Sequence, residues 1–283
     1  MKDNRERLFT ILIVAALIFS LFTVFVYSEH NPGLKFSARS AALYDTKNNQ
    51  FIFTKNENAR LSMASTTKIM TAMVVIDNAD LDKTVVVDDR AVGTEGSSIY
   101  LKSGEEITVK ALLYALMLRS ANDAAEALAY DICGSIEAFA ELMNEKANDL
   151  GLADTNFKNP HGLDAENHYT TAHDLAIISA EALKNPTFKD IASTRKIEIE
   201  SSIESRILVN HNKLLSLYDG CIGIKTGYTK KSGRSLVSAA QKGESILVCV
   251  TIDAPDDWND HKKLLDYGFS RINATEPISR GDN

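Results

Sequence analysis

Strand-forming runs lie at both ends of this chain with a long helical stretch between them, and that segregation restricts the fold more than any other feature. Arg39 to Thr46 and Phe51 to Thr54 are β-prone around the turn-like Lys47, Asn48 and Asn49, which predicts an opening hairpin. Gly223 to Thr229, Ser235 to Ala240 and Ser245 to Ile252 are β-rich again, the last two joined across Gln241, Lys242, Gly243 and Glu244. A first helix is expected from Ala64 to Ala79, starting at Ser65 and apolar nearly all round, as suits a helix inside a core. Helical composition then runs from about Val109 to Leu183. It divides into Ala111 to Leu118, Asp123 to Ile132, Ile136 to Leu150 stopped by Gly151, and Ala172 to Leu183 opened by Thr171 with Asp174 as a capping box. A last helix is expected from Trp258 to about Tyr267. The fold class is therefore α/β: one antiparallel sheet completed by the two ends of the chain, flanked by helices, with an all-helical lobe at about 80–190.

The 283 residues are 45% hydrophobic, enough to bury a real core, and 14 Gly and 5 Pro with no internal repeat exclude low-complexity and solenoid classes. With 31 Lys plus Arg against 38 Asp plus Glu, a formal charge of -7 and no basic run, nucleic acid is not an expected partner. Leu8 to Ser28 is 21 residues without a charge, against the ~20 that a helix needs to cross a membrane. Lys2, Arg5 and Arg7 precede it and favour a cytoplasmic N-terminus, so residues 29–283 are expected outside the cell membrane. A cleaved signal peptide ending near Val26, Tyr27 and Ser28 is the alternative, although the stretch exceeds an ordinary signal core of about 7–15 residues. Either way the protein is exported. The expected organisation is an N-terminal stub and anchor at 1–28, a linker at 29–38, a catalytic domain at 39–272 and a tail at 273–283.

Cys133, Cys221 and Cys249 match no zinc spacing and read as buried small side chains, with a Cys221–Cys249 bridge as the one conceivable pairing. His161, His168 and His173 lack metal-ligand spacing and read as groups that hold loop backbone; no metal or cofactor is expected. Tyr44, Tyr100, Phe139 and Tyr267 read as core, and Arg195, Lys196 and Arg206 as solvated charges with a possible carboxylate role.

Chemistry is carried by a serine and a lysine. The chain has no GxSxG elbow, HExxH, Walker loop or GxGxxG. Ser65 and Lys68 stand three apart at the start of the core helix, so they share a face and the lysine can take the serine's proton. With 23 Ser and 20 Lys, about 1.6 such spacings arise by chance, and Ser193 with Lys196 is a second, lying in a polar stretch rather than at a buried helix start. Ser120, Ala121, Asn122 breaks two helical runs, where a plain helix cap is the simplest reading. Lys225, Thr226, Gly227 in a probable strand has only about 0.07 chance occurrences.

Taken in this order, Ser-x-x-Lys, Ser-x-Asn and Lys-Thr-Gly make the sequence resemble the penicillin-recognising serine enzymes, and within them the D-alanyl-D-alanine carboxypeptidases. The likeness extends through ASTTKIMTA, GSSIYLKSGEEITVKALLYALMLRSANDAAEALA, FKNPHGLDAENHYTTAHDLA and GIKTGYT, from about Ser40 to Phe269. It implies a β-lactamase/transpeptidase-like fold with about five strands. It also implies Ser65 as acylated nucleophile, Lys68 as its base, Ser120 as proton relay and Asn122 as holder of the substrate's peptide group. Lys225 would polarise the relay, Thr226 receive the terminal carboxylate, Gly227 leave the strand edge open, and the N–H groups of Ser65 and Tyr228 form an oxyanion hole. The partners implied are peptidoglycan stem peptides ending in D-Ala-D-Ala and β-lactam antibiotics, with no cofactor. Three alternatives stand beside the carboxypeptidase: a D,D-endopeptidase cutting crosslinks, a β-lactamase, for which Glu166 has no local context as a deacylating base, and a non-catalytic peptidoglycan binder. Ala121 replaces a glycine common in relatives. The β-rich domain and amphipathic helix that often trail the family's catalytic region are not seen before Asn283, so anchoring is expected to fall to residues 8–28.

Overall fold

A computed structural model describes residues 34–275, so the apolar segment 8–28 and most of the expected tail lie outside the described residues. The chain divides after Lys35, and the unit described is the one beginning at Phe36. Its elements are β1 (Ser40–Asp45), β2 (Gln50–Lys55), a 3-10 turn (Ala64–Thr67) leading into α1 (Lys68–Asn78), β3 (Thr84–Val86) and β4 (Glu106–Thr108). Then come α2 (Val109–Tyr114), a π-turn (Ala115–Arg119), α3 (Asn122–Cys133), α4 (Ile136–Asp149), α5 (Ala172–Ala182) and α6 (Pro186–Ser193). The hairpin β5 (Lys196–Glu200) and β6 (Ser205–Val209), the short α7 (Leu214–Leu217), β7 (Cys221–Thr229), β8 (Gly233–Lys242), β9 (Ser245–Ile252) and α8 (Asp257–Thr275) complete it.

Five strands form one sheet in the order β2-β1-β9-β8-β7, every pair antiparallel. The first and last strands meet at its centre, Ser40 opposite Ile252 and Asp45 opposite Leu247. Because side chains alternate along a strand, the sheet feeds two cores. Val248 and Val250 join the larger cluster with Ile69, Val74, Leu112 and Leu128 of the helices, while Leu247 and Cys249 face Leu264, Leu265 and Phe269 of α8. The lobe helices begin where their caps dictate: Thr108, Ser135 and Thr171 side chains accept from the N–H of Ala111, Ala138 and Asp174.

Four readings need correction. The last helix runs past Tyr267 through Gly268, since a Cβ there would lie 2.6 Å from Leu43 and Leu247 side chains: this glycine allows close packing on the sheet rather than ending the helix. Residues 196–209, for which no element is expected from the sequence, form the β5–β6 hairpin, whose Lys-Ile-Glu-Ile-Glu alternation fits one half-buried face. Tyr100 is not core: it is 75% exposed in a left-handed conformation (φ +61°). Ser65 does not open an α-helix but sits in the 3-10 turn that precedes it. All three cysteines are free thiols.

Candidate active site

The turn carrying Ser65 is pressed from both sides. Ala64 adopts a positive φ of 49°. A Cβ on Gly162 (φ +92°) would fall 1.9 Å from the Ala64 carbonyl, so only glycine lets the 159–163 loop approach so closely. On the other side, a Cβ on Gly227 of β7 would lie 3.1 Å from Ser65 N and 3.2 Å from Ala64 Cβ and Thr66 N. Thr67 Oγ1 donates to Ala64 O (2.8 Å) and meets His168 Nε2 at 2.9 Å. His168 Nδ1 accepts from Lys158 N–H (2.9 Å), which leaves the proton on Nε2 to donate to Thr67. Burial holds His168 down to about 4, so it stays in this neutral form.

Three residues on, Lys68 has no exposed surface. Its Nζ lies 3.2 Å from Ser65 Oγ, 2.7 Å from Asn122 Oδ1 and 2.5 Å from the His161 carbonyl. Burial first, and the like charge of Lys225 second, hold this amine well below the usual lysine range, against a weaker opposing pull from Asp123. A neutral amine has two N–H donors and one lone pair, whereas Asn122 Oδ1 and His161 O can only accept. In that neutral form all three contacts are satisfied in one way: Nζ donates to Asn122 and His161, and accepts from the Ser65 hydroxyl.

Asn122 reaches this position because the helical run breaks before it. The π-turn ends at Ser120, which is buried and left-handed (φ +60°), and α3 restarts at Asn122. The Asn122 amide donates to Glu95 O (2.6 Å) and its backbone N–H to Ser97 O (2.7 Å), which fixes the oxygen toward Lys68. Next to it, buried Asp123 accepts from Ser98 Oγ (2.5 Å) and from the N–H of Ile99 (3.2 Å) and Leu101 (3.1 Å). Loop 95–101 is thus tied to the same helix start.

The opposite wall is β7, the last strand of the sheet. Lys225 is 1% exposed, donates to Thr226 O (2.9 Å) and is lowered by burial to about 7. Tyr228 stands opposite Arg234, whose carbonyl accepts from Ala254 N–H (2.8 Å) on the side away from β7. In an antiparallel pair this makes Tyr228 and Arg234 a non-bonded pair, so the Tyr228 N–H and C=O point outward from the free edge. The Tyr228 ring is 66% exposed.

The structure thus gathers Ser65, Lys68 and Asn122 by direct contact, sets Gly227 against the backbone of Ser65, and brings Lys225 close enough for its charge to act on Lys68. Ser120 is at the break beside Asn122, and Thr226 and Tyr228 flank Gly227. Of the histidines, His161 and His168 support the Ser65 turn, while His173 stacks on Phe51 (4.6 Å) instead. Arg206 is not a solvated charge: it pairs with buried Glu105 (2.5 Å) and donates to Ile99 O (3.0 Å), so it braces loop 95–101. Glu166 is exposed on the 152–170 loop. Sequence reasoning missed the His161 carbonyl, Glu126 beside it, and His211. The His211 N–H donates to Leu118 O (3.1 Å), and its ring is held below the usual histidine value by burial and by the charges of Lys225 and Arg119.

Known proteins resemble this chain over most of its length. Residues 26–256 match the family described as D-alanyl-D-alanine carboxypeptidase. The chain is 38% identical over 254 residues to the D-alanyl-D-alanine carboxypeptidase DacF of Bacillus subtilis, covering 87% of this chain and 65% of that one, so it spans just under two thirds of that relative's length. It is 34% identical over 241 residues to DacB2 of Mycobacterium tuberculosis, covering 82% of each chain. The crystal structure of the Streptomyces K15 DD-transpeptidase superposes with a TM-score of 0.80 at 32% identity, covering 85% of this chain and 100% of that one. A match over most of the chain, together with a five-stranded sheet and a serine-lysine turn of the expected form, places this protein in the D-alanyl-D-alanine carboxypeptidase family.

Proposed function

We propose that the chain is a membrane-tethered serine-type D-Ala-D-Ala carboxypeptidase, which removes the terminal D-alanine of peptidoglycan stem peptides through an acyl-enzyme on Ser65. The observation that carries this reading is the Lys68 amine, buried, depressed in basicity and 3.2 Å from Ser65 Oγ, with its other two contacts occupied by acceptors. Lys68 takes the hydroxyl proton as Ser65 Oγ attacks the carbonyl between the two D-alanines. The oxyanion is received by the N–H groups of Ser65 and Tyr228, fixed dipoles that need no reorganisation. Ser120 passes the proton to the departing amine, Asn122 steadies the scissile peptide group, and Lys225 with Thr226 receives the free carboxylate. Water then hydrolyses the ester. A β-lactam follows the first half of this path and remains bound, and the exposed position of Glu166 argues against its serving as a deacylating base. The uncharged run Leu8–Ser28 supports a single membrane anchor with the catalytic domain outside; among the described residues no helix is long and apolar enough to span.

The test is D-alanine release from a diacyl-Lys-D-Ala-D-Ala tripeptide by the full chain, with Ser65→Ala as control. Release that vanishes in the control supports the proposal; no release from folded protein refutes it in favour of crosslink cleavage or binding. The DD-transpeptidase name of the Streptomyces neighbour favours one second reading, acyl transfer to an amine. An added amine acceptor that diverts product from hydrolysis into a new peptide would establish it.

A further inference from the structure

We infer that Glu126 and His161 form a positioning pair that aims the lone pair of Lys68 at Ser65, an inference that rests on Lys68 being the base. The His161 carbonyl is one of the two acceptors that hold the N–H groups of Lys68, at 2.5 Å. A backbone carbonyl on a loop is only as fixed as the loop itself. His161 is held by its own ring: Nδ1 accepts from Leu163 N–H (3.1 Å), so the proton resides on Nε2, which faces the Glu126 carboxylate with Nε2 3.3 Å from Oε1. Both side chains are shielded, 8% and 14% exposed. Glu126 lies one turn beyond Asn122 on α3, the helix that supplies the other acceptor of Lys68. One rigid helix therefore places both acceptors, Asn122 directly and the His161 carbonyl through Glu126.

The neighbouring bonds share this task without supplanting the ring: Asn159 Oδ1 accepts from Gly162 N–H (2.7 Å), the other end of the same peptide, and Thr71 Oγ1 donates to Pro160 O (2.6 Å), which sets the loop's height over α1, while the His161 ring holds the residue on the carbonyl side of that peptide. If that carbonyl turns away, one N–H of Lys68 loses its acceptor and the lone pair is no longer confined to the Ser65 direction. The groups facing Lys68 are Lys225 from β7, Asp123 from α3, and His161 and His168 from the loop, none of which supplies a substitute acceptor on that side. The pair should thus act on the chemical step and not on substrate binding, because neither side chain lies where Asn122, Lys225 and Thr226 would hold the substrate.

The experiment measures acylation of the full chain in detergent micelles by a fluorescent penicillin, separating the binding constant from the rate constant of acylation by varying the penicillin concentration. The double variant Glu126→Leu with His161→Phe replaces both partners by apolar groups of similar size, which spares the fold a lone buried polar group. Its acylation rate constant should fall at least about tenfold, with binding constant and melting temperature close to wild type. Glu126→Gln, which keeps an acceptor for Nε2–H, should restore most of the rate. An unchanged rate constant in the folded double variant overturns the inference, as does a Glu126→Gln variant as slow as the double variant, or a loss that appears only in binding. If the wild type is not acylated at all, the proposed function falls and this inference with it; a wild type acylated normally beside an unaffected double variant removes this inference alone.

Discussion

Lys225→Met should make the protein more stable while disabling it. Burial takes the Lys225 amine from 10.5 to about 7 in the folded protein, whereas in the unfolded chain it titrates near its ordinary value. Between those limits the unfolded chain binds more protons than the folded one, so stability rises with pH across that window. Below about pH 7 both forms are protonated and the whole penalty applies, roughly 4 to 5 kcal/mol for a shift of this size. Methionine removes that penalty and gives up the hydrogen bond to Thr226 O, about 1 kcal/mol. The variant should therefore lead wild type by about 3 kcal/mol at pH 7, or about 6–12 °C in melting temperature for a domain of this size. At pH 9 the lead should shrink by about 2 kcal/mol, as the wild-type amine is neutral there and less of the unfolded chain's proton uptake remains. Removing the like charge also relieves Lys68, which acts in the same direction. Calorimetric melting at pH 6, 7, 8 and 9 checks this, alongside penicillin acylation, which should be lost. A variant less stable than wild type at pH 7, or a lead that does not change with pH, would refute the reasoning.

Three further outcomes are expected. Gly227→Ala places a methyl 3.1–3.2 Å from the backbone at Ser65 and Thr66, and should slow penicillin acylation at least about tenfold while shifting the melting temperature by only a few degrees. Gly162→Ala combines a positive φ with a Cβ 1.9 Å from the Ala64 carbonyl and should lower stability by about 3 kcal/mol or more, read by urea unfolding. Asp123→Asn removes a negative charge that props up the basicity of Lys68, so the acid limb of the acylation profile should move to lower pH, together with a loss of about 1–3 kcal/mol from weakened bonds to Ile99 and Leu101.

The parts legible in the sequence are those governed by near neighbours in the chain. Thr171 and Asp174 announced the start of α5 because a cap is a four-residue device, and the β-rich run Ser245 to Ile252 announced β9. Ser65 and Lys68 were found through their spacing. What escaped depends on partners remote in sequence. The 3-10 turn at Ala64 owes its positive φ to the close approach of Gly162 and Gly227, neither of them local. Tyr100 looked like core beside Ile99 and Leu101, yet buried Asp123 holds the N–H groups on either side of it and turns its ring outward. The sequence alone ends the last helix near Tyr267, one residue before Gly268, and nothing local shows Leu43 and Leu247 beneath that glycine. The His161 carbonyl had no signal at all: a backbone oxygen is present at every residue, and only the fold selects one.

The meeting of β1 with β9 at the centre of the sheet has a consequence for the order of assembly. Ser40 lies opposite Ile252 of β9, so the segment that emerges early in synthesis has no sheet partner on that side until nearly the whole chain is available. Pairings of such high contact order form slowly, after a loop-closure penalty that local helices do not face. Until β9 docks, β8 lacks its inner neighbour, β7 has no secure place over the Ser65 turn, and Lys225 is not sealed from water. On the proposed mechanism an unassembled chain therefore keeps ordinary, protonated lysines beside an unactivated Ser65, and the serine gains its base only when the sheet is complete.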